Sequence, residues 1–342
     1  MTQSQRRVSI IDVATAAGVS PTTVSHVLSG NRPVSEQTDR RVRAAIATLG
    51  YVPSHAAQSL RSGSMRTVGV LVPDITNYFF AQLITGVEDA ASEAGFSTIV
   101  GNSRFDTARE LRHLNTMAQR GVDALVYVAG APPSRRILQE LSRRIPIALA
   151  DEEIESLVTS VVVADHRKGG SLLGSHLAAL GHTAALVISG PPSLASCRER
   201  LDGFKDTFTG TAIVVEADYL EGGGSAAIES HPPDGNQPYT AVCALNDLMA
   251  MGALAGLRDL GYSVPEEVSV VGFDDIAAAA VIDPPLTTVH QPAYEVGKTA
   301  ATQLLNDIKR GQRRGSSRHV LDVTLVVRHS TAPPRSRRGR SL

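Results

Sequence analysis

Apolar positions recur at helical spacing over the first 50 residues and at strand spacing from Thr67 onward, so the chain changes architecture near that point. Ser9 and Asp12 form a capping-box pattern, which predicts a helix that turns Val13, Ala14 and Ala17 to one side and stops at Gly18. Ser20-Pro21 restarts a helix, with serine as N-cap and proline at the first helical position, where its missing donor costs nothing. Val24, Val27 and Leu28 form its inner face. A third helix is expected from Ser35 as N-cap to Gly50 as stop, with Val42, Ile46 and Leu49 inward. Two short helices joined by a tight turn at Gly18, with the small Ala14 where they cross, make a helix-turn-helix.

Beyond it, Val68-Gly69-Val70-Leu71-Val72-Pro73 reads as a strand, followed by a helix from near Asn77 to Gly95. Strand-like runs recur at 97–100, 124–128, 145–150, 161–164, 185–189, 212–215, 241–245, 268–273 and 287–290, mostly with helical patterns between them. That alternation predicts parallel doubly wound α/β sheets, and its length exceeds one sheet of ordinary size, so two lobes are expected.

Composition narrows the class. A chain of 342 residues, 42% hydrophobic and 20% charged, has material for two or three compact units and can bury a core. Two cysteines, Cys197 and Cys243, exclude a disulfide framework and a four-thiolate metal site, and they fit a reducing, cytoplasmic compartment. No apolar signal-peptide core follows Arg6-Arg7 and no run approaches the roughly 18–20 apolar residues of a membrane span. The formal net charge of −1 conceals a division at Arg66. Residues 1–66 carry eight arginines, no lysine and three acids, a balance of +5, which leaves −6 for the rest. A small basic unit on a larger acidic one suits a polyanion-binding head, since phosphate neutralisation supplies most sequence-independent DNA affinity. In a helix-turn-helix the second helix enters the major groove. Pro21, Thr22, Ser25 and His26 then face base edges, with Thr22 and His26 able to hydrogen-bond bases, while Ser20, Thr23 and Ser25 suit phosphate oxygens. The serines and threonines can equally be helix caps.

Ile11-Asp12-Val13-Ala14 through Gly18-Val19-Ser20, Thr23-Val24-Ser25-His26-Val27-Leu28, Val34-Ser35, Leu49-Gly50-Tyr51-Val52-Pro53 and Ala56-Ala57-Gln58-Ser59-Leu60-Arg61 together resemble the head of the LacI/GalR family of bacterial transcriptional regulators. The resemblance implies that the last segment is a hinge that becomes a short helix on operator DNA and pairs with its dimer mate. Ala57 and Leu60 would contact DNA there, Leu60 as a wedge in the minor groove. The residues agree: Ser54 can cap a two-turn helix whose Leu60 has no core to enter, and apolar wedges kink DNA at a cost of a few kcal/mol recovered through added contact. Leu60 packed on the body is the alternative. Pro21 departs from the family, which commonly has a larger or polar reader at that position.

The family's body resembles periplasmic sugar-binding proteins, with a ligand cleft between two lobes that the chain crosses three times. The implied organisation is a head over 1–50, hinge helix and linker over 51–66, a two-lobed effector-binding and dimerisation domain over 67–330, and a basic disordered tail over 331–342. Lobe 1 takes about 67–163 and 292–321, lobe 2 about 164–290 and 323–330, with the last crossing inside a final strand around Leu321 to Val323. Ligands of open α/β sheets lie at the C-terminal strand ends. By resemblance Arg200, Asn246 and Asp274 match the effector-binding triad, in which Arg and Asp can clamp hydroxyls and the Asn amide both donates and accepts. Phe79 and Tyr219 match cleft walls, and Asp151 ends another strand. Helix capping by Asn246, Asp247, Asp274 or Asp275, and a core role for Phe79 and Phe80, are the competing readings.

Catalytic motifs fail. Gly297-Lys298-Thr299 lacks the earlier phosphate-loop glycine, since residue 292 is Pro, and neither G-x-S-x-G nor H-E-x-x-H occurs. No catalytic residue, cofactor or metal is expected, and His176 with His182 is a poor metal pair. The sequence therefore reads as a homodimeric, ligand-responsive repressor binding a palindromic operator, with a sugar or sugar derivative as favoured effector and a nucleobase behind it. The alternatives are a solute-binding protein without gene control, which the head argues against, and an α/β enzyme with a DNA-binding head. No apolar heptads follow Arg328, so a dimer is the expected assembly.

Overall fold

The computed structural model describes residues 8–29, 32–51, 64–155, 157–311 and 317–335. Internal contacts divide the chain into two units, Met1–Met65 and Arg66–Leu342.

The first unit is three helices, α1 (Ile10–Ala17), α2 (Pro21–Ser29) and α3 (Glu36–Leu49). Local chemistry starts and stops them. Ser9 and Asp12 make the reciprocal capping box, and Gly18 and Gly50 take the left-handed conformation that closes α1 and α3. Val13, Ala14, Ala17, Val24, Val27, Val42 and Ala45 form the core. Two of the basic residues are neutralised locally, Arg40 by Glu36 at 3.1 Å and Arg43 by Asp39 at 2.6 Å, one turn apart on α3.

The second unit holds two six-stranded sheets. In the first, β1 (Thr67–Val72), β2 (Ser97–Asn102), β3 (Ala124–Tyr127), β4 (Ile147–Ala150), β5 (Ser160–Ala164) and β11 (Arg318–Leu321) are ordered β11-β5-β4-β3-β1-β2, all parallel. Its helices are α4 (Tyr78–Glu93), α5 (Thr107–Gln119), α6 (Arg135–Arg144) and α11 (Ala293–Lys309). The pleat sorts its side chains by size. Val68, Val70, Ala124, Val126, Ala148 and Ala150 share the core of α4 and α11, while Leu71, Leu125, Tyr127, Ile147 and Leu149 fill the opposite face with α5 and α6.

The second sheet is ordered β12-β10-β9-β8-β6-β7, from β6 (Ala184–Ser189), β7 (Thr211–Glu216), β8 (Ala241–Ala244), β9 (Ser269–Asp274), β10 (Thr287–His290) and β12 (Thr324–Val326). Its helices are α7 (His166–Ala179), α8 (Ala195–Thr207), α9 (Glu221–Ser230) and α10 (Asp247–Asp259). The chain passes between sheets after β5, after β10 and between β11 and β12. The final strand expected around Leu321 to Val323 is thus two strands, and β12 runs antiparallel to β10, a departure from a purely parallel lobe. Helices α7 and α8 pack at backbone distance: a Cβ on Gly170 would lie 1.9 Å from the Arg200 carbonyl oxygen, and one on Gly203 would lie 1.9 Å from that of Arg167. That approach brings Arg200 against the first residue of α7.

Residues 331 and 332, expected as the start of a tail, are bonded to the second lobe. Ala332 donates its amide to Ser269 Oγ at 3.0 Å, and His176 Nε2 lies 3.0 Å from Thr331 Oγ1, because residues 330–332 run along the foot of the second lobe. Residues 336–342 lie outside the described residues.

Candidate functional site

A cleft lies between the two sheets of the second unit, with about 420 Å³ of empty space once the open solvent at its mouth is included. The ends of β1, β2 and β4 supply one wall through Phe79, Phe105, Asp151 and Glu152, and the second lobe supplies Arg200, Tyr219, Asn246 and Asp274. Backbone strain is concentrated here. Phe105, Asp151, Tyr219 and Asp274 have φ of 53°, 63°, 66° and 117°, a region where a side chain costs about 1–3 kcal/mol and which persists only when the surroundings enforce it.

Arg200 is the centre of the polar wall. It is 2% exposed, its Nη1 donates to the Leu245 carbonyl at 2.7 Å, and its guanidinium lies 3.9 Å over the Phe273 ring. Asp274 Oδ1 is 3.5 Å from it and accepts from Gln291 Nε2 at 2.6 Å. Burial opposes the arginine's charge, and Tyr219, Asp274 and Asp151 more than offset it, so its pKa is raised. Burial pushes the Asp274 carboxyl well up and Asp151 to about 6, each opposed by Arg200.

A relay runs between the lobes. Arg200 Nε donates to His166 Nδ1 at 3.3 Å, which leaves His166 Nε2 to donate to the Asp151 carbonyl at 3.0 Å. Burial, then the charge of Arg200, lowers the imidazole to about 3, so it stays neutral.

Asn246 does double duty within the fold. Its Oδ1 accepts from Met249 N at 2.8 Å as the N-cap of α10, and its Nδ2 donates to the Tyr219 carbonyl at 2.9 Å, fixing that strained residue. Asp247 is not the cap. It is buried and accepts from Ile276 N and Thr288 Oγ1, bracing β9 and β10. Neither Asp274 nor Asp275 caps the short 3₁₀ turn at Ala277–Ala280, and Asp275 pairs instead with Arg328 at 2.6 Å. Phe79 both lines the cavity and belongs to the core, meeting Phe80 edge-on at 5.2 Å.

The sequence-selected Phe79, Asp151, Arg200, Tyr219, Asn246 and Asp274 all border this one cavity. Sequence reasoning missed Phe105, Glu152, His166, Gln291 and Cys197. Phe105, Glu152 and Gln291 obey the strand-end rule, following β2, β4 and β10. Phe105 faces Tyr219 across the cleft with parallel rings 6.2 Å apart. Cys197 donates its thiol to Tyr219 Oη at 2.9 Å, a contact that no local pattern announces.

In the head, Ser20, Pro21 and Thr22 are exposed and Thr23, Ser25 and His26 half-buried. Ser20 Oγ accepts from Thr23 N at 3.1 Å, so its capping role is real. Ala57 and Leu60 lie outside the described residues. No cluster of three metal-ligating side chains occurs among the described residues, and no described helix is long and apolar enough to cross a membrane.

Comparison with known proteins places both units. Residues 9–54 match the family described as bacterial regulatory proteins, lacI family, and residues 175–331 match the periplasmic binding protein-like domain. The HTH-type transcriptional repressor PurR of Aliivibrio fischeri (strain ATCC 700601 / ES114) is 35% identical over 308 residues, covering 88% of this chain and 91% of that protein. The Lac repressor dimer solved with operator and the anti-inducer ONPF superposes with a TM-score of 0.83 at 29% identity, over 96% of this chain and 100% of that one. A ribose-bound LacI family transcriptional regulator from Enterococcus faecium gives 0.70 at 34% identity, over 79% of this chain and 100% of that one. With this head, this body and such relatives along most of its length, the chain belongs to the lacI family of bacterial regulatory proteins.

Proposed function

We propose that the protein is a cytoplasmic, homodimeric transcriptional repressor whose grip on a palindromic operator is set by a small molecule held between its lobes. The observation that carries this reading is the buried Arg200–Asp274 pair at the wall of an interlobe cavity, in a chain that also bears a helix-turn-helix. Two-fold symmetry would present two heads to matching half-sites, with α2 in the major groove and Ser20, Pro21, Thr22, Thr23, Ser25 and His26 toward the DNA. Ala57 and Leu60 complete that surface through the hinge.

The effector we favour is a sugar or sugar derivative. Arg200 and Asp274 offer a donor and an acceptor for adjacent hydroxyls, and Asp151 a second acceptor, while Phe79 and Tyr219 supply apolar faces for a ring. The parallel Phe105 and Tyr219 rings support a nucleobase as second reading, since a planar group suits facing aromatic planes. The cleft serves sensing and no catalytic step. Effector and operator act through one equilibrium, so each must change the other's affinity by the same factor.

A thermal-shift screen of sugars and nucleobases, repeated with candidate operator duplex, tests the whole reading. A true effector raises the melting temperature and changes duplex affinity together. Removal of residues 1–61 should leave effector binding and dimerisation in place and abolish specific duplex binding. Retained specific binding by the truncated chain, or no preference for any duplex under any effector, would overturn the proposal.

A further inference from the structure

Helix α8 begins without a cap of its own. Its N-cap residue is Leu194, which has no side-chain acceptor, and the first-turn amides of a helix need partners. Glu152 provides them from the opposite lobe. Its Oε2 accepts from Ala195 N at 2.9 Å and from Ser196 N at 3.3 Å, and its Oε1 accepts from the Ser196 hydroxyl. The side chain is 4% exposed and borders both the inner cavity and an outer groove lined by Glu153, Glu155 and Arg198.

Two features make this more than a remote cap. A helix N-terminus opening into a ligand cleft is a ready anion site, and here a carboxyl of the protein already fills it. The cavity wall also brings three carboxyl groups together, Asp151, Glu152 and Asp274, beside the guanidinium of Arg200. Separately, two buried oxygens on that wall, Asp151 Oδ1 and Gln291 Oε1, find no hydrogen-bond partner among the described residues. Both are acceptors, and a buried acceptor left unpaired is costly, so the cleft calls for a donor-rich guest.

We propose that Glu152 is a clasp between the lobes that also fixes the charge class of the effector: uncharged and rich in hydroxyl or N–H donors, with phosphorylated and carboxylated compounds excluded. This rests on the reading of the interlobe cavity as the effector site. Glu152 holds the lobes together across α8, and by occupying its N-terminus removes the position where an anionic substituent would be recognised. Burial, together with neighbouring Asp151, pushes its carboxyl up to about 8, so this position penalises negative charge, and a permanently charged substituent placed there meets the same penalty.

The test uses the full chain and two residue-specific probes. Hydrogen exchange at the Ala195 and Ser196 amides should accelerate at least tenfold in Glu152→Ala and by less in Ser196→Ala, which removes only the hydroxyl contact. Inorganic phosphate should restore protection at those two amides in Glu152→Ala, with an apparent Kd at least tenfold tighter than in the wild type. If the alanine variant does not fold, Glu152→Gln keeps an acceptor and the side-chain length, and a threefold gain in phosphate affinity is then expected. Unchanged exchange in the variants overturns the clasp. Equal phosphate affinity, or a saturable wild-type effector that carries a phosphate or carboxylate, overturns the charge class. Neither probe involves DNA, so both results hold if the operator-binding reading fails, and failure of either leaves operator binding untouched.

Discussion

The head and the two-lobed body use different means to hold polar groups in place. In the head, partners lie within one turn of each other: Ser9 with Asp12, Ser20 with Thr23, Ser35 with Thr38, Arg43 with Asp39. In the body the decisive pairs span long stretches of chain, with Glu152 43 residues from Ala195, His166 34 from Arg200 and Arg200 45 from the Leu245 carbonyl. Losing a local pair in the head loosens one helix end. Losing a pair in the body leaves a buried charge or acceptor short of a partner in a low-dielectric interior, where water cannot replace it.

That contrast predicts a graded set of outcomes. The largest belongs to Arg200→Met, which leaves Asp274 and Asp151 buried without their counter-charge; breaking a buried pair in this way costs about 3–5 kcal/mol. Denaturant unfolding should show the body destabilised and effector binding lost while the head's own transition is unmoved, and a variant within about 1 kcal/mol of wild type, roughly the worth of an exposed pair, would contradict the assignment.

The next effect is a pH dependence confined to the body. Burial holds Glu152 at about 8, Asp247 at about 7 and Asp151 at about 6 in the folded state, so native protein keeps protons that the unfolded chain releases above about 4. Those contributions are present at low pH and are lost as pH rises through the folded values. His166, lowered to about 3 by burial, acts oppositely but only below about 6.5, where the unfolded histidine charges. Above that point the carboxyls act alone, and the melting temperature of the effector-free body should fall from about pH 6.5 to 8. Glu152→Gln should flatten that slope, and an identical slope in the variant would remove Glu152 as its source.

The smallest effect is Ser9→Ala, which deletes the α1 cap and should cost the head about 1 kcal/mol with no change in the body's unfolding or effector affinity. Circular dichroism melts resolved by unit would show it.

How much of this was legible in the chain follows the same line. Helix starts at Ser9, Ser20 and Ser35 and stops at Gly18 and Gly50 are written in adjacent residues, and the core strands announce themselves as apolar runs because both faces of each sheet are covered. Arg200, Asn246 and Asp274 emerged from strand-end position together with family resemblance. Glu152 also follows a strand end and was passed over, and nothing near it or His166 reveals what either residue meets. Capping by Asn246 was among the readings the chain offered and it holds, but spacing could not tell that the same amide would brace Tyr219, or that Asp247, its neighbour, would point into the sheet.

The sequence by itself determined what depends on neighbours along the chain: the three capped helices, the basic head, the alternation of strand and helix, and the family to which these belong. Only the tertiary structure decided which acid faces the buried Arg200 guanidinium, which lobe caps α8 and which of the described oxygens remain without a donor. The reason is physical. Capping and periodicity act over three or four residues, whereas the fate of a buried charge depends on groups that meet only after two lobes, crossed three times by one chain, have closed around it.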